Sequence, residues 1–258
     1  STSFELLITQ EKKEAEEIVE GLESTNRERQ KITEEILNQA KKQIDVKKAK
    51  QSIISVVGKK WPAGLIGLVA GRLCDEYYRP IIVLSHLEEG TIASGRSIPE
   101  FDIIEAVEKL RNHLKDYGGH SCACGFTLKD KNCLDVFNQQ LMSLAEKELK
   151  SLELSPKIKI ENQVELDQIT HDLLHELEEF KPFGQANETP LFLLKNLTIV
   201  NYDMVGKNSN HLRLLVKQND DTVRKCIGFY QQELAKDLKA GQKIDLVCEV
   251  SFNEWNGT

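Results

Sequence analysis

Two short stretches hold the residue types that could bind a charged group or move a proton. They are Ser94-Gly95-Arg96-Ser97 and Gly118-Gly119-His120-Ser121-Cys122-Ala123-Cys124-Gly125. In each, glycines let the backbone approach a ligand, small neighbours leave room, and one cationic or titratable side chain points into the gap. Arg96 offers a planar fork of donors suited to a phosphate. His120 can donate to a phosphate oxygen or take part in proton transfer. Taken singly, Gly118-Gly119 reads as a helix C-cap and His120 as a satisfied surface residue. Two such stretches on one small unit tip the reading towards an anion site.

The elements that must position these stretches follow from hydrophobic spacing. Ile103, Ile104, Ala106, Val107, Leu110 and Leu114 recur at helical intervals and predict a helix over 103–115, flanked by the two polar turns. Strands are expected at 52–57, 80–85 and 91–94, with a helix over 64–78 whose glycine-rich first turn could face an anion with its N–H groups. A strand over 122–128 would set Cys122 and Cys124 on one face as small buried packing residues. A helix over 134–149 completes an α/β unit. Upstream, Ala15, Ile18, Leu22, Thr25, Ile32 and Ile36 fall near heptad spacing and predict one or two long helices over 4–44.

Residues 151–156 read as a linker. Beyond it come short strands at 157–166, 191–200, 211–217, 223–229 and 243–252, interrupted by helices at 170–179 and 231–238. A small barrel of about five strands, of the oligonucleotide-binding (OB) type, is the simplest closure. Strand-borne Arg213 and Lys217 alternate onto one face and form a candidate basic patch. Phe183, framed by Pro182 and Gly184, reads as a core residue in a tight turn. Asn256-Gly257 is a hairpin signal with no strand after it, so the barrel edge is expected to be incomplete.

Composition narrows the function classes. The 258 residues carry 34 Lys+Arg against 41 Asp+Glu, a formal charge of −7, so any nucleic-acid contact must come from a local patch. The longest apolar run, residues 61–71, contains Pro and Gly and is too short to span a bilayer. The six cysteines follow no framework spacing, which suits a reducing cytoplasm. His171 and His175 lie one helical turn apart, a spacing able to bind metal, but read more simply as exposed residues of an amphipathic helix.

Ser94-Gly95-Arg96-Ser97-Ile98-Pro99, Phe101-Asp102, Gly118-Gly119-His120 and Gly125-Phe126 resemble the DHHA1 domain of the DHH phosphoesterase superfamily. The segment from Trp61 to Leu73 is similar to the same family's helix-opening segment, although Pro62 stands where family members commonly carry His. The segment from Pro182 to Phe192 resembles a loop of the RecJ family of single-strand-specific DNA exonucleases. The resemblance covers nearly the whole chain and implies an α/β fold: the end of a DHH domain and a connector helix (1–50), a mixed-sheet DHHA1 domain (51–150) and an OB-fold domain (156–258).

What it implies about function is 5′→3′ hydrolysis of single-stranded DNA in repair and recombination, with manganese or magnesium bound by the DHH domain. The sequence contains no Asp-His-His triplet. No catalytic or metal-binding residue, and no activity of these residues alone, is therefore expected here. On the resemblance, Ser94 and Arg96 hold a terminal phosphate with help from Arg72. Gly118, Gly119 and His120 seat the backbone near the scissile phosphate, and Lys195, Arg213 and Lys217 contact DNA from the second domain. Expected partners are single-stranded DNA and a single-strand-binding protein or helicase, with no membrane. Two other readings stay open: a DHH phosphodiesterase of short oligonucleotides or cyclic dinucleotides, and a catalytically inactive replication scaffold.

Overall fold

The structure, a computed structural model, describes residues 2–219 and 222–252. The chain divides into two compact units, Ser1–Pro156 and Lys157–Thr258.

Unit 1 opens with two helices, α1 (Thr2–Ile8) and α2 (Lys12–Lys41). The apolar stripe of α2 is used unevenly. Thr33, Ile36, Leu37 and Ala40 are buried, whereas Ala15, Ile18 and Leu22 are half-exposed and Thr25 is exposed. The elements that follow are β1 (Ile54–Lys59), α3 (Ala63–Tyr77), β2 (Ile81–Leu87), β3 (Gly90–Arg96), α4 (Ile103–Lys109), β4 (Leu114–His120), β5 (Ala123–Leu128) and α5 (Leu134–Leu149). The sheet runs β1-β2-β3-β5-β4. Its β1–β2 pair is parallel and the other pairs are antiparallel, which makes the mixed sheet the resemblance implies. Strand β2 reads Ile-Ile-Val-Leu without alternation because helices cover both of its faces. On one face lies α3, with Ile66, Val69, Ala70 and Leu73 fully buried. On the other lie α4 and α5, where Ile103 approaches Gly95 and Phe137 packs on Phe126 with ring centroids 4.9 Å apart.

In unit 1 the helix expected over 103–115 is shorter. It ends at Lys109, a single 3-10 turn (Arg111–His113) follows, and Leu114 begins β4. Leu110 and Leu114 are both buried, so their four-residue spacing is satisfied by a turn and a strand start rather than by a further helical turn. Gly118, Gly119 and His120 are therefore the end of an edge strand, not a helix C-cap. Cys122 also differs from expectation. It sits in the hairpin turn before β5 begins and is exposed, while Cys124 on the strand is buried.

Unit 2 contains β6 (Asn162–Gln163), α6 (His171–Glu178), β7 (Phe192–Val205), β8 (His211–Lys217), β9 (Arg224–Gly228) and β10 (Lys243–Cys248). The expected strand over 157–166 contracts to the two residues of β6. The helix over 231–238 is a 3-10 segment, Gln232–Asp237. The 14-residue β7 is the spine. Its first half pairs with β10 and its second half with β8, with a register shift between Ile199 and Asn201. That bulge bends the strand and curls the sheet into an OB-type half-barrel. Its order is β10-β7-β8-β9, so β9 and β10 are its two ends among the described residues. Leu194, Leu197, Leu212, Leu214 and Val216 fill its inner face. The hairpin signal at Asn256-Gly257, and Trp255, lie outside the described residues.

Candidate functional site

The two polar stretches converge on one face of the unit 1 sheet. Register places Arg96 opposite Ala123, which in turn is opposite His120. Ser94 is likewise opposite Gly125, which is opposite Gly118. Cross-strand partners share a face, so Arg96, Ala123 and His120 form one row and Ser94, Gly125 and Gly118 the next. At normal strand spacing the Arg96 and His120 backbones stand about 10 Å apart across β5. Gly119 points the other way. Its φ is +152°, and a methyl group there would lie 2.2 Å from the Ala123 carbonyl oxygen, so only glycine lets β4 close on β5.

Helix α3 forms the wall beside this floor. Gly67 and Gly71, one turn apart, face β3. A methyl group on Gly67 would lie 3.1 Å from Ser94 Oγ and 3.8 Å from Arg96 Nη2, and one on Gly71 would lie 4.0 Å from Arg96 Nε. The guanidinium thus lies along a glycine face of the helix instead of being pushed off it. Beyond it the floor is bare. A methyl group on Gly118 would meet nothing within 4 Å, and one on Gly125 only the Ala93 carbonyl oxygen at 3.8 Å. Arg96 makes one long bond, Nη1 donating to the Gly95 carbonyl oxygen at 3.4 Å. Ser94 Oγ donates to the Cys124 carbonyl oxygen at 3.5 Å. Among the described residues no carboxylate pairs with Arg96, so its fork remains available to an anion. His120 is exposed at the open end of the floor.

Two thiols border Arg96 without ionising beside it. Burial pushes the Cys124 thiol up to about 12, against the opposing pull of Arg96. Burial, then Asp75 and Cys122, push Cys74 up to about 11, again opposed by Arg96. The chemistry of the face is therefore that suited to an oxyanion, with a cation, a hydroxyl and an imidazole along a floor of glycine and alanine.

Not every expected residue joins it. Arg72 was expected beside the phosphate, but its Nη1 donates to Glu34 Oε2 of α2 at 2.7 Å, so a ligand would have to compete with that carboxylate. In unit 2, Arg213 and Lys217 do share the outer face of β8, where the inner residues are the buried Leu212, Leu214 and Val216. Arg213, however, is gripped by Asp203. Its Nε donates to Oδ1 at 2.7 Å and its Nη2 to Oδ2, which holds the Asp203 carboxyl below its usual range. That charge is largely spent. Lys195 is exposed on β7. Glycines 67 and 71 were missed as site residues. The signal for the helical pair was their four-residue spacing.

The loop around Phe183 is closed by Asn187, whose Nδ2 donates to the carbonyl oxygens of Phe180 and Pro182 at 2.9 and 3.1 Å. Phe183 is half-buried, not core, and lines an open groove of about 880 Å³ in unit 2. Lys157 and Lys159 there are balanced by Glu161, which pairs with Lys159, and Glu188, so the groove carries no excess of positive charge to draw an anion. His171 and His175 are exposed and flank Phe252, with ring centroids 5.6 and 5.0 Å away.

Residues 49–147 match the DHHA1 domain and residues 160–258 the RecJ OB domain. The chain belongs to the RecJ family. The single-stranded-DNA-specific exonuclease RecJ of Bacillus subtilis is 32% identical over 253 residues, covering 97% of this chain and 32% of that protein. The RecJ of Thermus thermophilus is 28% identical over 198 residues, covering 74% of this chain and 27% of its own. The crystal structure of Thermus thermophilus RecJ in complex with Mg2+ shares the fold, with a TM-score of 0.75 at 23% identity over 100% of this chain and 38% of that one. The chain thus spans about a third of the length of these RecJ relatives. Among its described residues no group of three or more His, Cys, Asp or Glu side chains could hold a metal ion. A divalent ion of the kind in that crystal structure therefore finds no fitting donor set among those residues. No described helix is long and apolar enough to cross a membrane.

Proposed function

We propose that this chain is the substrate-holding part of a RecJ-type exonuclease that degrades single-stranded DNA from its 5′ end in repair and recombination. Ser94 and Arg96 receive the terminal phosphate, and Gly118, Gly119 and His120 seat the backbone next to it. The OB domain binds the rest of the strand. The bond-breaking step, with its manganese or magnesium, belongs on this reading to the DHH domain of the whole protein, and the chain described here binds without cutting.

The observation that carries the proposal is the Arg96 fork, laid along the Gly67–Gly71 face of α3 above a floor of glycine and alanine, with no carboxylate paired to it among the described residues. A guanidinium so placed has donors to spare and a flat approach, which is what a terminal phosphate needs. Its half-buried setting makes each bond count for more than it would in bulk water. Fluorescence anisotropy with a single-stranded oligodeoxynucleotide, with and without a 5′ phosphate, tests it. The expected result is tighter binding of the phosphorylated strand, with the preference abolished in Arg96→Ala and reduced in His120→Ala. Equal binding of both strands by the folded native chain would contradict it.

A further inference from the structure

Three rings cluster at one end of the unit 2 half-barrel, and nothing in the phosphate reading uses them. His211 opens β8. Phe229 and Tyr230 follow β9, whose Gly228 is opposite Leu212. The Tyr230 N–H donates to His211 Nδ1 at 3.1 Å and holds Tyr230 in the left-handed region at φ +57°, an uncommon conformation for a bulky residue. The imidazole stands edge-on to both neighbours, with centroids 5.3 Å from Phe229 at 74° and 4.8 Å from Tyr230 at 87°. Gly206, at φ +93°, leaves the space. A methyl group there would lie 2.7 Å from His211 Cδ2. The cluster is built and held, yet its faces are open: Phe229 is 69% exposed and Tyr230 75%.

Its surroundings say what would cover it. Ile227, 40% exposed, and Lys225 continue the same outward-facing row of β9. In a chain with 41 acidic and 34 basic residues, segments 204–212 and 222–230 hold Lys207, Arg224 and Lys225 and no carboxylate. Among the described residues no carboxylate pairs with Lys225, and Asp203, opposite Arg213 on the neighbouring strand, is taken up by that arginine. Arg224, opposite the inward Val216, lies on the other side of β9. Open aromatic faces beside an unpaired lysine suit unpaired bases with their phosphates. An apolar protein partner would not need the lysine, and a basic one would be repelled by it.

We propose that His211, Phe229 and Tyr230 form a stacking platform for the bases of single-stranded nucleic acid. His211 is the positioning residue. Phe229 and Tyr230 take the bases, and Lys225, on the same outward row, tracks the phosphates. This site rests on the reading that the chain binds single strands, but it is separate from the Arg96 face and needs no strand end.

The test uses the whole chain and 5′-hydroxyl strands, so that Arg96 plays no part in the difference read. Binding of oligodeoxythymidine is compared with binding of an abasic strand of equal length. Three proteins are used: the native chain, the double variant Phe229→Ala/Tyr230→Ala, and the double variant Phe229→Tyr/Tyr230→Phe. Circular dichroism checks that each is folded. The alanine variant is expected to lose roughly tenfold or more in affinity for oligodeoxythymidine while holding the abasic strand as before, and the aromatic exchange is expected to retain both. Native-like binding by the alanine variant overturns the proposal. So does an equal loss on both strands, or no binding of oligodeoxythymidine by the native chain. None of these outcomes alters the 5′-phosphate comparison, which stands or falls on Arg96.

Discussion

Arg96 and Gly95 show how two adjacent residues can have opposite requirements. Arg96 faces α3 and the open floor. Gly95 faces the core, where a methyl group would lie 2.6 Å from Cys124 Sγ, 2.8 Å from Ile103 Cδ1 and 2.9 Å from Ile82 Cδ1. Gly95→Ala is therefore an overpacking change that moves the strand carrying Arg96. It is expected to lower stability by about 1–3 kcal/mol, read as a drop in the thermal midpoint, with phosphate preference weakened as well. Gly67→Ala is the converse case. Its methyl group would crowd Ser94 Oγ at 3.1 Å without touching the core. Phosphate preference should fall while the midpoint scarcely changes. The thiols give a third readout at this scale. Cys122 is exposed, whereas burial raises Cys74 to about 11 and Cys124 to about 12. Below pH 9 both buried groups stay protonated, and thiolate is the species that alkylates. Iodoacetamide at pH 8 followed by peptide mass spectrometry should modify Cys122 well before Cys74 or Cys124.

At the scale of elements, the Arg96 face is a product of sheet order. Chain order puts α4 between the Arg96 and His120 stretches, but the sheet inserts β5 between their strands and brings both to one face. Much of this was legible. Strands of consecutive β-branched and leucine residues marked β2, the Gly-rich periodic run marked α3, and residues 134–149 matched α5. The β4 edge strand was not legible, because Leu110 and Leu114 keep a helical interval while serving a turn and a strand, and five of the next residues are polar or glycine. The candidate residues in the Ser-Gly-Arg and Gly-Gly-His stretches, which the sheet brings to one face, stood out from type alone. The fates of Arg72 and Arg213 were not. Each meets its carboxylate, Glu34 or Asp203, through packing of separate elements, and sequence spacing carries no trace of that. The Phe229–Tyr230 platform was equally hidden, since only the fold brings His211 beside it.

For the whole molecule, charge sets the expectation. With a net charge of −7, binding must be local and modest in its counterion release. Affinity for single strands should fall with salt by a slope of about −0.7 per neutralised phosphate. Arg96→Ala should flatten that slope by about one such step on 5′-phosphorylated strands and leave it unchanged on 5′-hydroxyl strands. The central claim, that Arg96 grips a terminal phosphate, is tested most directly by a double-mutant cycle. Four affinities are needed: native chain and Arg96→Ala, each with the 5′-phosphate and the 5′-hydroxyl strand. A charged hydrogen-bonded pair predicts a coupling of about 1.5–3 kcal/mol. A coupling within about 0.5 kcal/mol of zero, the range of independent sites, would contradict it.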